Sequence, residues 1–252
     1  MQERNAGSAP DSPRRVLIVT PTYNERHNLP LFVNATLQVL PQSHILVVDD
    51  ASPDGTGDEA RRLANADSRV HVMHRSGKLG LGTAYRDGFL WGLARGYDLF
   101  FEMDADLSHD PKHLPAFLDA AKSGAAVVLG SRNIPKGQVV GWGPGRRLLS
   151  KGGSLYARLI LGVPVRDLTT GYKAYTRRAL ELIELSSIRS EGYSFQIETT
   201  YRALQAGLRV VEVPITFVDR QAGQSKMNRR IFAEAVWMVW RLRFEGRPSG
   251  SP

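Results

Sequence analysis

The chain has 252 residues, 42% of them hydrophobic and 23% charged, with no cysteine and a formal net charge of +8. The length fits one domain, or a domain with an appendage, and the apolar content is ample for a core. The missing cysteines exclude a disulfide framework and a thiolate metal site while permitting a reducing compartment, and no apolar stretch approaches the ~20 residues that span a bilayer.

Residues 1–13 are polar, rich in Pro, Ser and Gly, and lack the apolar core of a signal peptide, so they read as a disordered tail. Val16-Leu17-Ile18-Val19 reads as a fully buried parallel strand, with Pro21-Thr22-Tyr23-Asn24-Glu25 at its carboxyl end. A helix is expected from about Asn28 to Leu40, with Pro30 near its first turn. Ile45-Leu46-Val47-Val48 is a second buried strand, ending in the turn-rich Asp49-Asp50-Ala51-Ser52-Pro53-Asp54-Gly55-Thr56 and a helix through about Ala64. Val70-His71-Val72-Met73 is a third strand, followed by the glycine-rich Gly77–Gly82 and a helix over about Thr83 to Arg95. Leu99-Phe100-Phe101-Glu102-Met103 is a fourth, running straight into Asp104-Ala105-Asp106-Leu107-Ser108-His109. This alternation specifies an α/β fold: a doubly wound, mostly parallel, Rossmann-like sheet with helices on both faces.

Alternation also puts the polar loops on one edge of the sheet, where such folds bind ligands. Asp104 and Asp106 are two apart in an extended segment and point to the same side, a pair of hard oxygens suited to Mg²⁺ or Mn²⁺. The same residues also read as a solvated acidic turn, with Asp110 capping a helix before Pro111. Asp50 can accept hydrogen bonds from a base or ribose. The Gly77–Gly82 loop reads equally as a phosphate approach or as a tight turn starting a helix. His109 reads as a proton-transfer group or a capping histidine. The positive balance suits an anionic partner, but the cations are dispersed among carboxylates, unlike the basic stripe of a nucleic-acid-binding module.

In the second half, Val127-Val128-Leu129-Gly130-Ser131 is a strand ending in the cation Arg132, and Asn133 to Gly145 is a long loop. Arg146 and Arg147 open a helix from about Leu148 to Leu161, and Asp167–Tyr172 is a further loop. Another helix begins at Tyr193 and runs through about Gln205; Glu198 on it reads as a surface glutamate or a third polar site residue. Val210–Ile215 and Thr216–Val218 are strand-like, and Asp219 to Lys226 is a polar loop carrying Arg220 and Lys226. The body of the domain is thus 14–228, followed by an amphipathic helix over 229–245 and a tail at 246–252. Ile231, Phe232, Ala235, Val236, Val239 and Trp240 recur at helical spacing among arginines, which fits an interfacial membrane helix or a stripe packed on its own domain or a partner.

Pro21–Glu25, Asp49–Thr56, Gly80-Leu81-Gly82-Thr83-Ala84-Tyr85 and Asp104–His109, in that order, resemble the inverting family 2 glycosyltransferases with a GT-A fold. Phe217-Val218-Asp219-Arg220 with Gly223-Gln224-Ser225-Lys226, and Gly192-Tyr193-Ser194-Phe195-Gln196, resemble more narrowly the dolichol- or polyprenol-phosphate mannosyltransferases. The resemblance covers Arg15 to Arg243. It implies GDP-mannose as donor and a polyprenyl or dolichyl phosphate as acceptor, with UDP-glucose the alternative donor because Asp50 does not tell guanine from uracil. It places Pro21, Tyr23, Glu25, Val48 and Asp50 about the nucleoside, and Asp104, Ala105 and Asp106 at the nucleotide and its metal. Ser108 stands where some relatives carry glutamine, as a third metal ligand. The resemblance also implies that Arg220 and Lys226 close over the diphosphate and that Arg132, Arg146 and Ser150 hold the acceptor phosphate. Members often carry carboxyl-terminal membrane helices. This chain shows none, which implies a catalyst peripheral to the cytoplasmic face of a membrane, reaching its lipid from the surface or through a membrane-anchoring partner protein.

Overall fold

The structure is a computed structural model that describes residues 15–188, 190–219 and 229–244, with side chains in the last helix from residue 237 onward. In chain order the elements are β1 (Val16–Thr22), α1 (Asn28–Val39), β2 (His44–Asp49), α2 (Thr56–Ala66), β3 (Val70–His74), α3 (Leu81–Leu93), β4 (Leu99–Glu102), α4 (Leu114–Lys122) and β5 (Val127–Ser131). Then come β6 (Gln138–Val140), α5 (Pro144–Leu161), β7 (Lys173–Thr176), α6 (Arg177–Leu182), α7 (Gly192–Gln205), β8 (Val210–Pro214), β9 (Thr216–Val218) and α8 (Arg229–Phe244). Seven strands form one sheet in the order β3-β2-β1-β4-β7-β5-β8, and β6 pairs with β9 in a small second sheet. Within the large sheet β7 runs antiparallel to both neighbours, and the other pairings are parallel.

Side chains alternate between two cores, as the pleat requires. Leu17, Val19, Leu46, Val48 and Phe100 face a layer that includes Phe89 of α3, Ala157 of α5, Phe195 of α7 and Val239 of α8. Val16, Ile18, Ile45, Val47 and Phe101 face Phe32 of α1, Ala60 of α2 and Phe117 of α4. Burial on both faces is why these strands read as unbroken apolar runs. The expected doubly wound sheet with helices on both faces is therefore present.

The local differences have physical causes. Pro21 and Thr22 lie inside β1, opposite Val48 and Asp49, and not beyond its end; a proline without an N–H is tolerated there because the β1–β4 ladder stops at Val19 and Glu102, leaving that side of β1 unpaired. Helix α3 starts at Leu81, before Thr83, and α5 starts at Pro144, before Leu148, since proline suits the first helical turn. Asp110 caps the turn that leads into α4, accepting the Lys112 N–H as the capping reading expects, whereas β7, α6 and the short β6 inside the expected Asn133–Gly145 loop carry too little hydrophobic period to be read from the sequence. Strand β7 opens on a lysine that only a buried partner stabilises. Helix α8 is docked on this same domain, with Val239 and Leu242 buried in its core.

Helix α3 packs against the sheet through glycines on its inner face, which leave no room for a side chain. A Cβ on Gly88 would sit 2.5 Å from Val19 Cγ1, and one on Gly92 2.5 Å from Leu17 Cδ2. Gly88→Ala is therefore expected to destabilise the fold by about 1–3 kcal/mol, despite alanine's better helix propensity. Urea unfolding checks this, and an unchanged midpoint would show that α3 can shift outward without loss.

Candidate active site

The strand order reverses direction between β1 and β4, and the crevice outside their carboxyl ends is where such sheets open. A cleft of about 390 Å³ lies at that edge, lined among others by Pro21, Tyr23, Glu25, Asp50, Lys78, Asp104, Asp106, Arg132, Trp142, Arg146, Tyr193 and Gln196. The loops after β1, β2, β4 and β5 thus meet in one place. Val48 and Ala105 do not line it: both are buried in the two cores. Ser150 is half-buried on α5 and also lies off the cleft lining. Arg220 and Lys226 lie outside the described residues.

Tyr23, Glu25 and Asp50 line the cleft together with Lys78 and Gly80. Tyr23 carries the Lys78 ammonium 4.2 Å above its ring, and Glu25 Oε2 accepts from Asn28 Nδ2 at 2.8 Å. Asp50 is paired with Arg75 at 3.1 Å and accepts the backbone N–H groups of Leu79 and Gly80. Burial pushes its carboxyl up, and Arg75 opposes that. The N–H of Gly82 donates to Glu191 Oε2 at 2.9 Å. Protein carboxylates therefore occupy the glycine-rich loop's amides, and its tight-turn reading is the one the structure realises. Gly80 is required there, at φ +106 with Glu191 Oε2 2.5 Å from where a Cβ would stand.

Asp104 and Asp106 both reach the cleft. Asp104 Oδ1 accepts from the Tyr85 hydroxyl of α3 at 3.0 Å, and its backbone N–H donates to His109 Nδ1 at 3.2 Å. His109 stacks on Tyr172 and is 3% exposed, so the turn-holding reading of this residue fits better than proton transfer. Asp106 Oδ1 accepts from the Ser108 N–H at 3.0 Å. Among the described residues no group of three or more His, Cys, Asp or Glu side chains forms a cage for a metal. Two carboxylates suit instead a hard cation that keeps waters and substrate phosphates as its other ligands. The Ser108 hydroxyl oxygen is buried without a hydrogen-bond partner and lies off the cleft lining, a further hard oxygen on the same turn.

Behind Asp104, Glu102 of β4 stands opposite Lys173 of β7, both fully buried. Burial pushes Glu102 up to about 8 and Lys173 down to about 8, each opposed by the other's charge. Lys173 Nζ donates to the backbone oxygen of Gln196 at 2.6 Å and to the hydroxyls of Thr199 and Thr200, fixing α7 where it meets the cleft. Glu198 on that helix is neither surface nor cleft: it is buried, accepts from Ser190 Oγ at 2.5 Å and pairs with Arg202.

Arg132 and Arg146 also line the cleft, each paired with a carboxylate. Arg132 makes a bidentate pair with the buried Asp167, at 2.8 and 2.7 Å, and also donates to Thr169 Oγ1. Glu212 holds Asp167 in turn by accepting its N–H at 3.0 Å. Arg146, in the first turn of α5, pairs with Asp219 at 2.9 Å and lies 4.2 Å over the Trp142 ring. Sequence reasoning gave no role to Trp142, Glu191 or the Lys78 side chain. They come from the loops after β6, before α7 and after β3, and only the tertiary fold brings those loops to one cleft.

Several known proteins are similar to this chain. Residues 17–183 match the family model described as Glycosyl transferase family 2. A polyprenol monophosphomannose synthase of Mycolicibacterium smegmatis is 53% identical over 251 residues, 98% of this chain and 94% of that protein. An undecaprenyl-phosphate mannosyltransferase of Micrococcus luteus is 50% identical over 236 residues, 94% of this chain and 97% of its own. In three dimensions, glucosyl-3-phosphoglycerate synthase from Mycobacterium tuberculosis, crystallised with Mn²⁺, UDP-glucose and phosphoglyceric acid, aligns at a TM-score of 0.64 and 22% identity. That match covers 94% of this chain and 82% of the other. With its family model spanning most of the sheet and its polar loops gathered at the switch point, the chain belongs to glycosyltransferase family 2 and is a glycosyltransferase.

Proposed function

We propose that the protein transfers mannose from GDP-mannose to a polyprenyl phosphate, with inversion, giving a polyprenyl β-mannosyl phosphate. The observation that carries this is a single cleft lined by Asp104 and Asp106, by Tyr23 and Asp50, and by Arg132 and Arg146. The names of the two relatives above support mannose and a polyprenyl phosphate acceptor.

In this reading Tyr23, Glu25 and Asp50 surround the nucleoside, and Asp104 and Asp106 hold Mg²⁺ or Mn²⁺, with Ser108 on the same turn. The bound ion would supply charge for the departing diphosphate. The Mn²⁺ bound by the structural relative supports a divalent ion of this kind. The roles of Arg220 and Lys226 on the diphosphate rest on the sequence motif alone. Arg132 and Arg146 hold the acceptor phosphate, whose second pKa near ~6 leaves it ionised at neutral pH. Such a nucleophile needs cationic positioning more than deprotonation, and Arg132 and Arg146 both line the cleft. A phosphate oxygen forms the new bond to the anomeric carbon as the bond to the diphosphate breaks and its electron pair leaves with GDP.

Turnover with GDP-mannose and a short polyprenyl phosphate, read by product mass and set against UDP-glucose, tests the proposal. Mannolipid from GDP-mannose is the expected product. Product from UDP-glucose alone would overturn the donor, and tight, salt-sensitive nucleic-acid binding without sugar-nucleotide binding would overturn the class.

A further inference from the structure

Helix α5 carries its apolar residues on two opposite sides. At 100° per residue, Leu148, Leu155 and Leu159 fall within about 40° of one another. They are 75%, 52% and 70% exposed. The opposite side holds Ala157 and Leu161, which are buried in the core. An amphipathic helix packed on its own domain places polar residues on the outer face, so core packing does not account for these leucines. Arg147, Lys151 and Arg158 form a line alongside them on the same helix. Helix α8, packed against α5, repeats the pattern. Val239 and Leu242 turn inward, while Trp237, Trp240 and Phe244 stay 62%, 43% and 76% exposed, with Trp240 stacked on Phe244 and Arg241 near the Trp237 ring.

Leucine, tryptophan and phenylalanine beside arginine and lysine form the composition of a surface that lies in a headgroup layer: the apolar groups enter the acyl boundary and the cations meet lipid phosphates. No helix among the described residues is long and apolar enough to cross a membrane. We propose that the paired outer faces of α5 and α8 seat the protein on a bilayer carrying anionic headgroups. Arg146, on the first turn of α5, lines the cleft from the side of the helix opposite these leucines, so with α5 seated flat the cleft opens at that end of the helix one helix diameter, ~10 Å, above the leucines. This extends the proposed function, because an acceptor phosphate anchored in the bilayer would be presented at that end.

The test uses the full chain and a variant, Leu155→Gln/Leu159→Gln, at the end of α5 remote from Arg146. Flotation is measured with phosphatidylglycerol-containing vesicles and with neutral phosphatidylcholine vesicles. Wild type is expected to float with the anionic vesicles, and the variant to bind them at least tenfold more weakly at an unchanged melting temperature. A Lys151→Gln/Arg158→Gln variant should lose the preference for anionic over neutral vesicles. Sugar transfer to a vesicle-embedded polyprenyl phosphate should fall with binding, and transfer to a short, water-soluble prenyl phosphate should not. Undiminished flotation of the leucine variant overturns the proposal, as does a wild-type dimer that the variant dissociates without any vesicle binding. An equal loss on both acceptors also overturns it. Absence of turnover by wild type on the short acceptor would instead overturn the proposed function, while flotation, read without turnover, still decides the surface.

Discussion

Asp106→Asn is expected to lower sugar transfer by about 10³-fold at saturating Mg²⁺ or Mn²⁺, equivalent to about 4 kcal/mol of lost transition-state stabilisation. The substitution removes one negative charge and leaves the side-chain oxygen that accepts the Ser108 N–H, so the turn keeps its shape. The melting temperature should stay within about 2 °C of wild type, because the amide has the carboxylate's shape and keeps that hydrogen bond. A steady-state assay with a metal titration reads the first effect and a thermal melt the second. An unchanged rate would remove the cation from the reaction. A large fall in melting temperature would instead assign Asp106 to the architecture of the turn. The two outcomes are separable because Asp104, next to it, is held independently by Tyr85 and His109.

Asp167→Ala should have the largest effect on stability. It leaves the Arg132 guanidinium, 9% exposed, without its bidentate partner, and breaking a buried pair in this way costs about 3–5 kcal/mol. For a domain of this size that is a fall of roughly 10 °C in melting temperature. The double variant Arg132→Met/Asp167→Leu should recover much of the stability, because no charge is then buried alone, while transfer should stay lost with the cation proposed to hold the acceptor phosphate. Burial pushes the Asp167 carboxyl up, but the Arg132 charge and the hydrogen bonds from Arg132 and Thr169 outweigh it and hold the carboxyl below the usual carboxylate range. Because the folded value is the lower one, the stabilisation is full above the unfolded value near ~3.9 and is lost as pH falls through the folded value. Wild type should therefore lose stability on acidification below about pH 4, and Asp167→Asn should lose less over the same range. Denaturant melts between pH 3 and 7 measure both profiles; parallel curves would show that the carboxylate contributes nothing through its charge.

These two residues also mark how far the sequence reaches. Asp106 was legible because its signal is local: a short apolar strand, an acidic turn straight after it, and a spacing of two that aligns the carboxylates. The same kind of signal located Pro21, Tyr23, Glu25, Asp50 and Arg132 at strand ends, and alternation put those ends on one edge. Asp167 gave no such signal, since its partner lies 35 residues away and the pair exists only because β5 and the loop before β7 are neighbours in space.

By itself, then, the sequence determined the elements whose hydrophobic period is unbroken, the edge of the sheet that carries the chemistry, and the family. The tertiary structure alone decided which polar atoms satisfy one another. It closed Asp50 and Glu191 over the glycine-rich loop, inserted β7 antiparallel with a buried lysine, removed Val48 and Ala105 from the cleft lining, and left three leucines of α5 facing outward. Local patterns record burial and turn chemistry, because those act on neighbours along the chain. Pairing across the fold depends on which strands become adjacent, and a single sequence carries no local trace of that adjacency.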